Sequence, residues 1–166
     1  MADLKSTATP GFLREEELRQ AIELLYYAYR DFTAEPDAML ARYGFGRAHH
    51  RVIYFVGRHP QMSVSDLLAI LRITKQSLSR VLSQLVRQGF VRQSPGNRDR
   101  RRRLLELTEK GTELERQLSE NQRQRMARAY REAGAPAVEG FRKVMFGIIS
   151  SEEDRKRIGR RNDVPR

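Results

Sequence analysis

The stretch from Ser63 to Leu107 constrains the fold more than any other part of the chain. Ser63 is a helix-capping residue type, and Asp66 follows in the first turn, where a carboxylate suits the positive end of the helix dipole. A short helix over Val64 to Leu71 is predicted. After a turn at Arg72-Ile73, Thr74 can cap a second helix, Lys75 to Gln88, which Gly89 ends. Two helices joined by so short a turn make a helix-turn-helix. At once Phe90–Gln93 reads as a strand, Ser94-Pro95-Gly96-Asn97 as a turn and Leu104–Leu107 as the returning strand. Between them, Arg98 to Arg103 is arginine throughout apart from Asp99. A helix-turn-helix followed by a hairpin with a cationic tip predicts a winged helix.

The second helix divides into two faces. Leu78, Val81, Leu82 and Leu85 form the stripe to be buried. The opposite face carries Lys75, Gln76, Ser79, Arg80, Ser83 and Arg87, with no acidic residue. A solvated helix face ordinarily mixes both signs, so this bias points to a phosphate-bearing partner. The whole chain leans the same way, with 32 basic against 21 acidic side chains and a formal net charge of +11. Such a field attracts polyanions. No glycine-rich phosphate loop, nucleophile elbow or convergent carboxylate pair stands out, which argues against an enzyme and implies no cofactor. Cysteine is absent, and His49, His50 and His59 lack metal-ligand spacing, so no metal site is expected. No apolar run approaches the ~20 residues of a membrane span, and Met1–Pro10 lacks the apolar core of a signal peptide. The expected setting is cytoplasmic and nucleoid-associated, away from membranes.

The flanks are helical in pattern. Residues 1–10 are small and polar and are expected to be disordered. From Leu13 to about Ala34, apolar residues recur at helical spacing (Leu18, Ala21, Ile22, Leu25, Ala28, Tyr29, Phe32), and Pro36 is expected to block continuation. Leu24, Tyr26 and Tyr27 lie off that stripe, and a helix apolar on more than one face calls for a second partner, here another chain. A further helix is predicted from about Arg47 to Gly57. Thr108 can cap a long one from Glu109 to about Arg131, Gly134-Ala135-Pro136 breaks it, and a last helix runs from about Ala137 to Ile149. The tail, 151–166, is charged and expected to fray. The fold class is mainly α with a small β-hairpin wing. Its divisions are an N-terminal dimerisation helix (11–42), a winged helix-turn-helix lobe (43–110) and C-terminal dimerisation helices (111–150).

Several segments resemble the MarR family of bacterial and archaeal transcription regulators. They are Val64-Ser65-Asp66-Leu67-Leu68, Thr74-Lys75-Gln76-Ser77-Leu78-Ser79-Arg80-Val81-Leu82 and Gly89-Phe90-Val91. The most specific part is the D-x-R wing, Asp99-Arg100-Arg101, with L-T-x-x-G at Leu107-Thr108-Glu109-Lys110-Gly111. The resemblance implies a homodimer whose first and last helices interlock. Each chain would offer one winged helix to half of a pseudo-palindrome in double-stranded DNA, typically as a repressor. The cysteine-oxidation switch of some branches is excluded by composition.

On that expectation the first turns of the recognition helix place Thr74, Lys75, Gln76, Ser77, Ser79 and Arg80 at the major groove. The planar groups of Gln76 and Arg80 match adenine and guanine edges, and the hydroxyls suit phosphates or waters. Arg101 is the candidate for the narrow minor groove, Arg98 and Arg100 flank it, and Asp99 orients the arginine. The family often takes phenolic or aromatic carboxylate effectors. Tyr26, Tyr29, Phe32, Arg47, His50 and Ile53 are the candidates to line such a site, since a cation beside aromatics suits an aromatic anion. The alternative function is sequence-nonspecific, architectural DNA binding.

Overall fold

The computed structural model describes residues Pro10–Gly159. The disorder expected for residues 1–9 and the end of the tail, 160–166, lie outside the described residues. After a short turn at Gly11–Leu13 the order is α1 (Glu15–Ala41), α2 (Arg47–Arg58), β1 (Met62–Ser63), α3 (Val64–Leu71) and α4 (Lys75–Arg87). Then come β2 (Val91–Pro95), β3 (Arg103–Leu107), α5 (Glu109–Ala133), α6 (Ala135–Ile148) and α7 (Glu152–Gly159). The three strands form an antiparallel sheet in the order β1-β3-β2. Among the described residues no helix is long and apolar enough to cross a membrane.

The predicted winged helix forms, with its caps as read. Ser63 accepts from the Asp66 N–H at 3.1 Å, and the Asp66 carboxylate accepts from the Ser63 N–H at 3.1 Å. This reciprocal pair satisfies two donors that the start of α3 would otherwise leave open. Thr74 accepts from the Ser77 N–H at 3.1 Å and starts α4. The turn between them passes through Arg72, which takes the left-handed conformation at φ 52° where glycine is usual. Four apolar side chains of α4, Leu78, Val81, Leu82 and Leu85, enter a core with Val52, Ile53 and Val56 of α2, Leu67, Phe90, Leu105 and Leu114.

Four features depart from the sequence expectation. Pro36 does not stop α1; it lies inside it, buried. A proline cannot donate to the carbonyl four residues back, and that carbonyl, Phe32 O, instead accepts from the Gln122 side chain of α5 at 3.4 Å. Ser94 and Pro95, expected in the turn, extend β2, and Pro95 sits opposite Arg103 at the strand end. There the missing N–H is tolerated. The wing hairpin also gains a third strand: Met62 and Ser63 pair with Leu105 and Leu104. Finally, part of the expected frayed tail is a helix, α7. Ser151 Oγ accepts from the Asp154 N–H at 3.3 Å, and Asp154 takes an ion pair from Arg72 at 3.2 Å.

The segment that follows α4 meets the start of α5 in a close backbone approach. Thr108 caps α5 by accepting from the Gly111 N–H at 3.0 Å, and the same hydroxyl donates to Gly89 O at 2.6 Å. The Thr108 N–H reaches Phe90 O at 3.1 Å, and the Lys110 ammonium reaches Gln88 O at 2.9 Å. These carbonyls lie at the negative end of α4, where a cation is favoured. A Cβ on Gly111 would lie 2.0 Å from Phe90 O, so only glycine permits this approach. Gly111→Ala should therefore destabilise the protein by about 2–3 kcal/mol through forced backbone displacement, read by urea unfolding at fixed protein concentration. An unchanged midpoint would show that the junction is loose.

Candidate nucleic-acid interface

The recognition face of α4 is built by exclusion: its apolar stripe is buried, leaving Lys75, Gln76, Ser79, Arg80, Ser83 and Arg87 exposed. None of these six side chains has a partner among the described residues, and no carboxylate shares the face. Two of the six predicted groove residues are committed locally. Thr74 Oγ1 donates to Ser77 Oγ at 2.9 Å while it caps the helix, and Ser77 is half-buried.

The wing tip is a tight turn. The Gly96 N–H donates to Arg102 O at 2.8 Å and the Arg102 N–H to Asp99 O at 3.1 Å. A Cβ at Gly96 would sit 2.7 Å from Asp99 O. The Asp99 carboxylate accepts from the Arg101 backbone N–H at 2.9 Å. Asp99 thus acts on the backbone that carries Arg101, the arginine it was expected to orient. Arg98, Arg100 and Arg101 are exposed and without partners among the described residues. Arg102 differs. Its guanidinium donates to Ser63 Oγ at 3.3 Å and lies 3.7 Å from the Asp66 carboxylate, bracing the wing stem on the first turn of α3. The hydrogen bond with Ser63 outweighs partial burial and, with Arg102 and Arg157 near, holds the Asp66 carboxyl below its usual range. Arg92 pairs with Glu106 across the strands at 3.2 Å.

A cavity of about 930 Å³ opens between α1, α2 and α5. Of the six residues predicted to line an effector site, Tyr29, Phe32 and His50 line it. Tyr26, Arg47 and Ile53 do not. Tyr26 is exposed on α1 and Ile53 is fully buried in the core. Arg47 is held by Asp37 at 3.0 Å and Thr33 Oγ1 at 3.3 Å, with its guanidinium over the Tyr29 ring. The sequence reading missed Arg51, Tyr54, Arg58 and the α5 wall of Glu115, Arg123 and Tyr130. The signal was present for α2, because His50, Tyr54 and Arg58 recur at four-residue spacing on one helix face. Burial pushes the His50 imidazole below its ordinary pKa, against the opposing pull of Asp37 and Glu115.

The chain matches the MarR family over residues 43–102. The HTH-type transcriptional regulator PetP of Rhodobacter capsulatus is 52% identical over 154 residues, spanning 90% of this chain and 91% of the relative. Among solved structures, a MarR family transcription regulator superposes with a TM-score of 0.68 at 17% identity, covering 90% of this chain and 95% of that one. A mutant MarR from E. coli complexed with operator DNA gives a TM-score of 0.62 at 18% identity, with 85% and 99% covered. At such identities the structural likeness speaks for the fold. The likeness to PetP runs along nearly the whole sequence, and on it the chain belongs to the MarR family of helix-turn-helix transcription regulators.

Proposed function

We propose that the protein is a homodimeric repressor that reads a pseudo-palindromic operator and is released by a small aromatic anion. The observation that carries the reading is the acid-free, unpaired face of α4 beside a wing tip with three unpaired arginines. Gln76 and Arg80 then meet base edges, with Lys75 and Ser79 on the groove walls and Thr74 and Ser77 holding the helix start to the backbone. Arg101 enters the adjacent minor groove, flanked by Arg98 and Arg100.

Dimerisation is supported by helices that a single chain leaves uncovered. In α1 no residue before Thr33 is buried, and Ile22 and Leu24 are 70% and 69% exposed. The whole of α6 is likewise unburied, with Val144 at 63%. Apolar surface on that scale is covered by a partner in stable proteins. A second copy of this chain covers it, which sets two winged helices about one DNA turn apart and matches two half-sites. The cavity lies at the root of this arrangement. Three cations, Arg51, Arg58 and Arg123, line it together with Tyr29, Phe32 and Tyr54. A ligand there lowers DNA affinity only as far as it prefers a spacing of the lobes that does not fit DNA.

Selection of bound sequences from random duplex DNA should return an inverted repeat. A preference over random DNA below about tenfold at fixed salt would favour architectural binding instead. Arg101→Ala should cost about 1–3 kcal/mol of operator affinity in a titration while sedimentation still reports a dimer. Unchanged affinity removes the wing from the contact. Gln76→Ala should relax base preference at one position of each half-site and spare affinity for random DNA. A uniform loss would mark it as a backbone contact. Benzoate, as a probe aromatic anion, should weaken operator binding by the wild type and have less effect on Arg58→Gln; equal effects, or none, would remove the cavity from the mechanism.

A further inference from the structure

Just past its C-terminal end the recognition helix is held by Thr108 and Lys110, through the backbone carbonyls of Gln88, Gly89 and Phe90. Along its flank it rests on leucines and a valine. Apolar packing is non-directional, so it tolerates a small rotation of a helix about its axis far better than a hydrogen bond does. One side-chain hydrogen bond supplies direction. His49 Nε2 and Gln84 Oε1 stand 2.6 Å apart. Among the described residues no other side chain from Lys75 to Arg87 hydrogen-bonds to another element.

The imidazole is itself tightly placed. It is 9% exposed and stacks on Phe45 at 4.6 Å between ring centres, with 12° between planes. Phe45 in turn meets the edge of Phe90, the residue whose carbonyl abuts Gly111. The Gly46 backbone N–H lies 3.1 Å from His49 Nδ1, and an amide N–H can only donate. Nδ1 is therefore the acceptor, the ring proton sits on Nε2, and Nε2–H donates to the Gln84 carbonyl oxygen. Gln84 follows Arg80 by four residues and Gln76 by eight, so it shares a side of α4 with both. What fixes the angular position of Gln84 fixes theirs.

We propose that His49 is a positioning residue for sequence discrimination: it sets the rotation of α4 in the lobe and hence which base edges Gln76 and Arg80 meet. It touches no DNA. The inference rests on the operator-reading function proposed above. Gln at position 49 could make both bonds, with its carbonyl accepting from Gly46 and its amide donating to Gln84, whereas Phe keeps the stack and makes neither.

The test uses the full chain, an inverted-repeat duplex recovered by selection and a random duplex of equal length, at one salt concentration. His49→Phe should cut the ratio of the two affinities by about tenfold, the discrimination of one good base contact, and leave random-duplex affinity unchanged. His49→Gln should restore the ratio. Should His49→Phe fail to fold, Gln84→Met removes the same bond from the α4 side and should give the same loss. An unchanged ratio, a parallel loss on both duplexes, or a loss that His49→Gln does not reverse would each overturn the proposal. A wild type with no preference between the duplexes would instead overturn the operator-reading function, and this inference with it.

Discussion

The contact on which the lobe depends is the meeting of the end of α4 with the start of α5. Thr108 closes it with one hydroxyl, which accepts from Gly111 and donates to Gly89 O. Lys110 adds a charge to the carbonyl end of α4, and its ammonium lies 4.3 Å from the centre of the Phe90 ring. Because β3 ends at Leu107, the same short segment roots the wing. Recognition helix and wing therefore share one anchor, and their mutual geometry is set within a few residues. The L-T-x-x-G pattern that the sequence carries has this physical content: a capping hydroxyl that also bonds backward, and a position where no side chain fits.

The arginines sort by whether the protein itself uses them. Arg47, Arg92 and Arg102 are answered by Asp37, Glu106 and the Ser63–Asp66 pair. Exposed ion pairs of this kind add little stability, so their worth lies in direction. Arg102 is the clearest case, since it ties the wing stem to the helix that opens the helix-turn-helix. The guanidinium groups of Arg80, Arg98, Arg100 and Arg101 are left to the outside. A run that looks uniform in sequence is thus divided by geometry into struts and exposed, unpaired cations.

Much of this architecture was legible because it is local. The caps at Ser63, Thr74 and Thr108, the apolar stripe of α4 and the hairpin each depend on residues a few positions apart, where side-chain chemistry and helical period decide the outcome. What escaped was settled across the fold. The two-residue strand β1 exists only because Leu104 and Leu105 of β3 are there to pair with it. Pro36 was judged by what a proline withholds, and Gln122, distant in sequence, supplies the remedy. The α5 wall of the cavity carries no pattern of its own beyond charge, and α7 holds its place through Asp154 and an arginine in the helix-turn-helix turn. Asp99 was expected to orient Arg101, and its carboxylate accepts from the Arg101 backbone N–H, an atom that sequence spacing does not single out.

Pro36 also has a mechanical consequence. A helix lacking one rung of its ladder is more compliant there than elsewhere, and the substitute donor belongs to a different helix, so flexing α1 at this level strains a bond to α5. The weak point separates the uncovered outer half of α1 from Leu40, which is anchored in the core. It lies beside Phe32 and Thr33, in the cavity wall. Along α1 the backbone ladder is therefore thinnest next to the void, at the level where a side chain of α5 stands in for the missing rung.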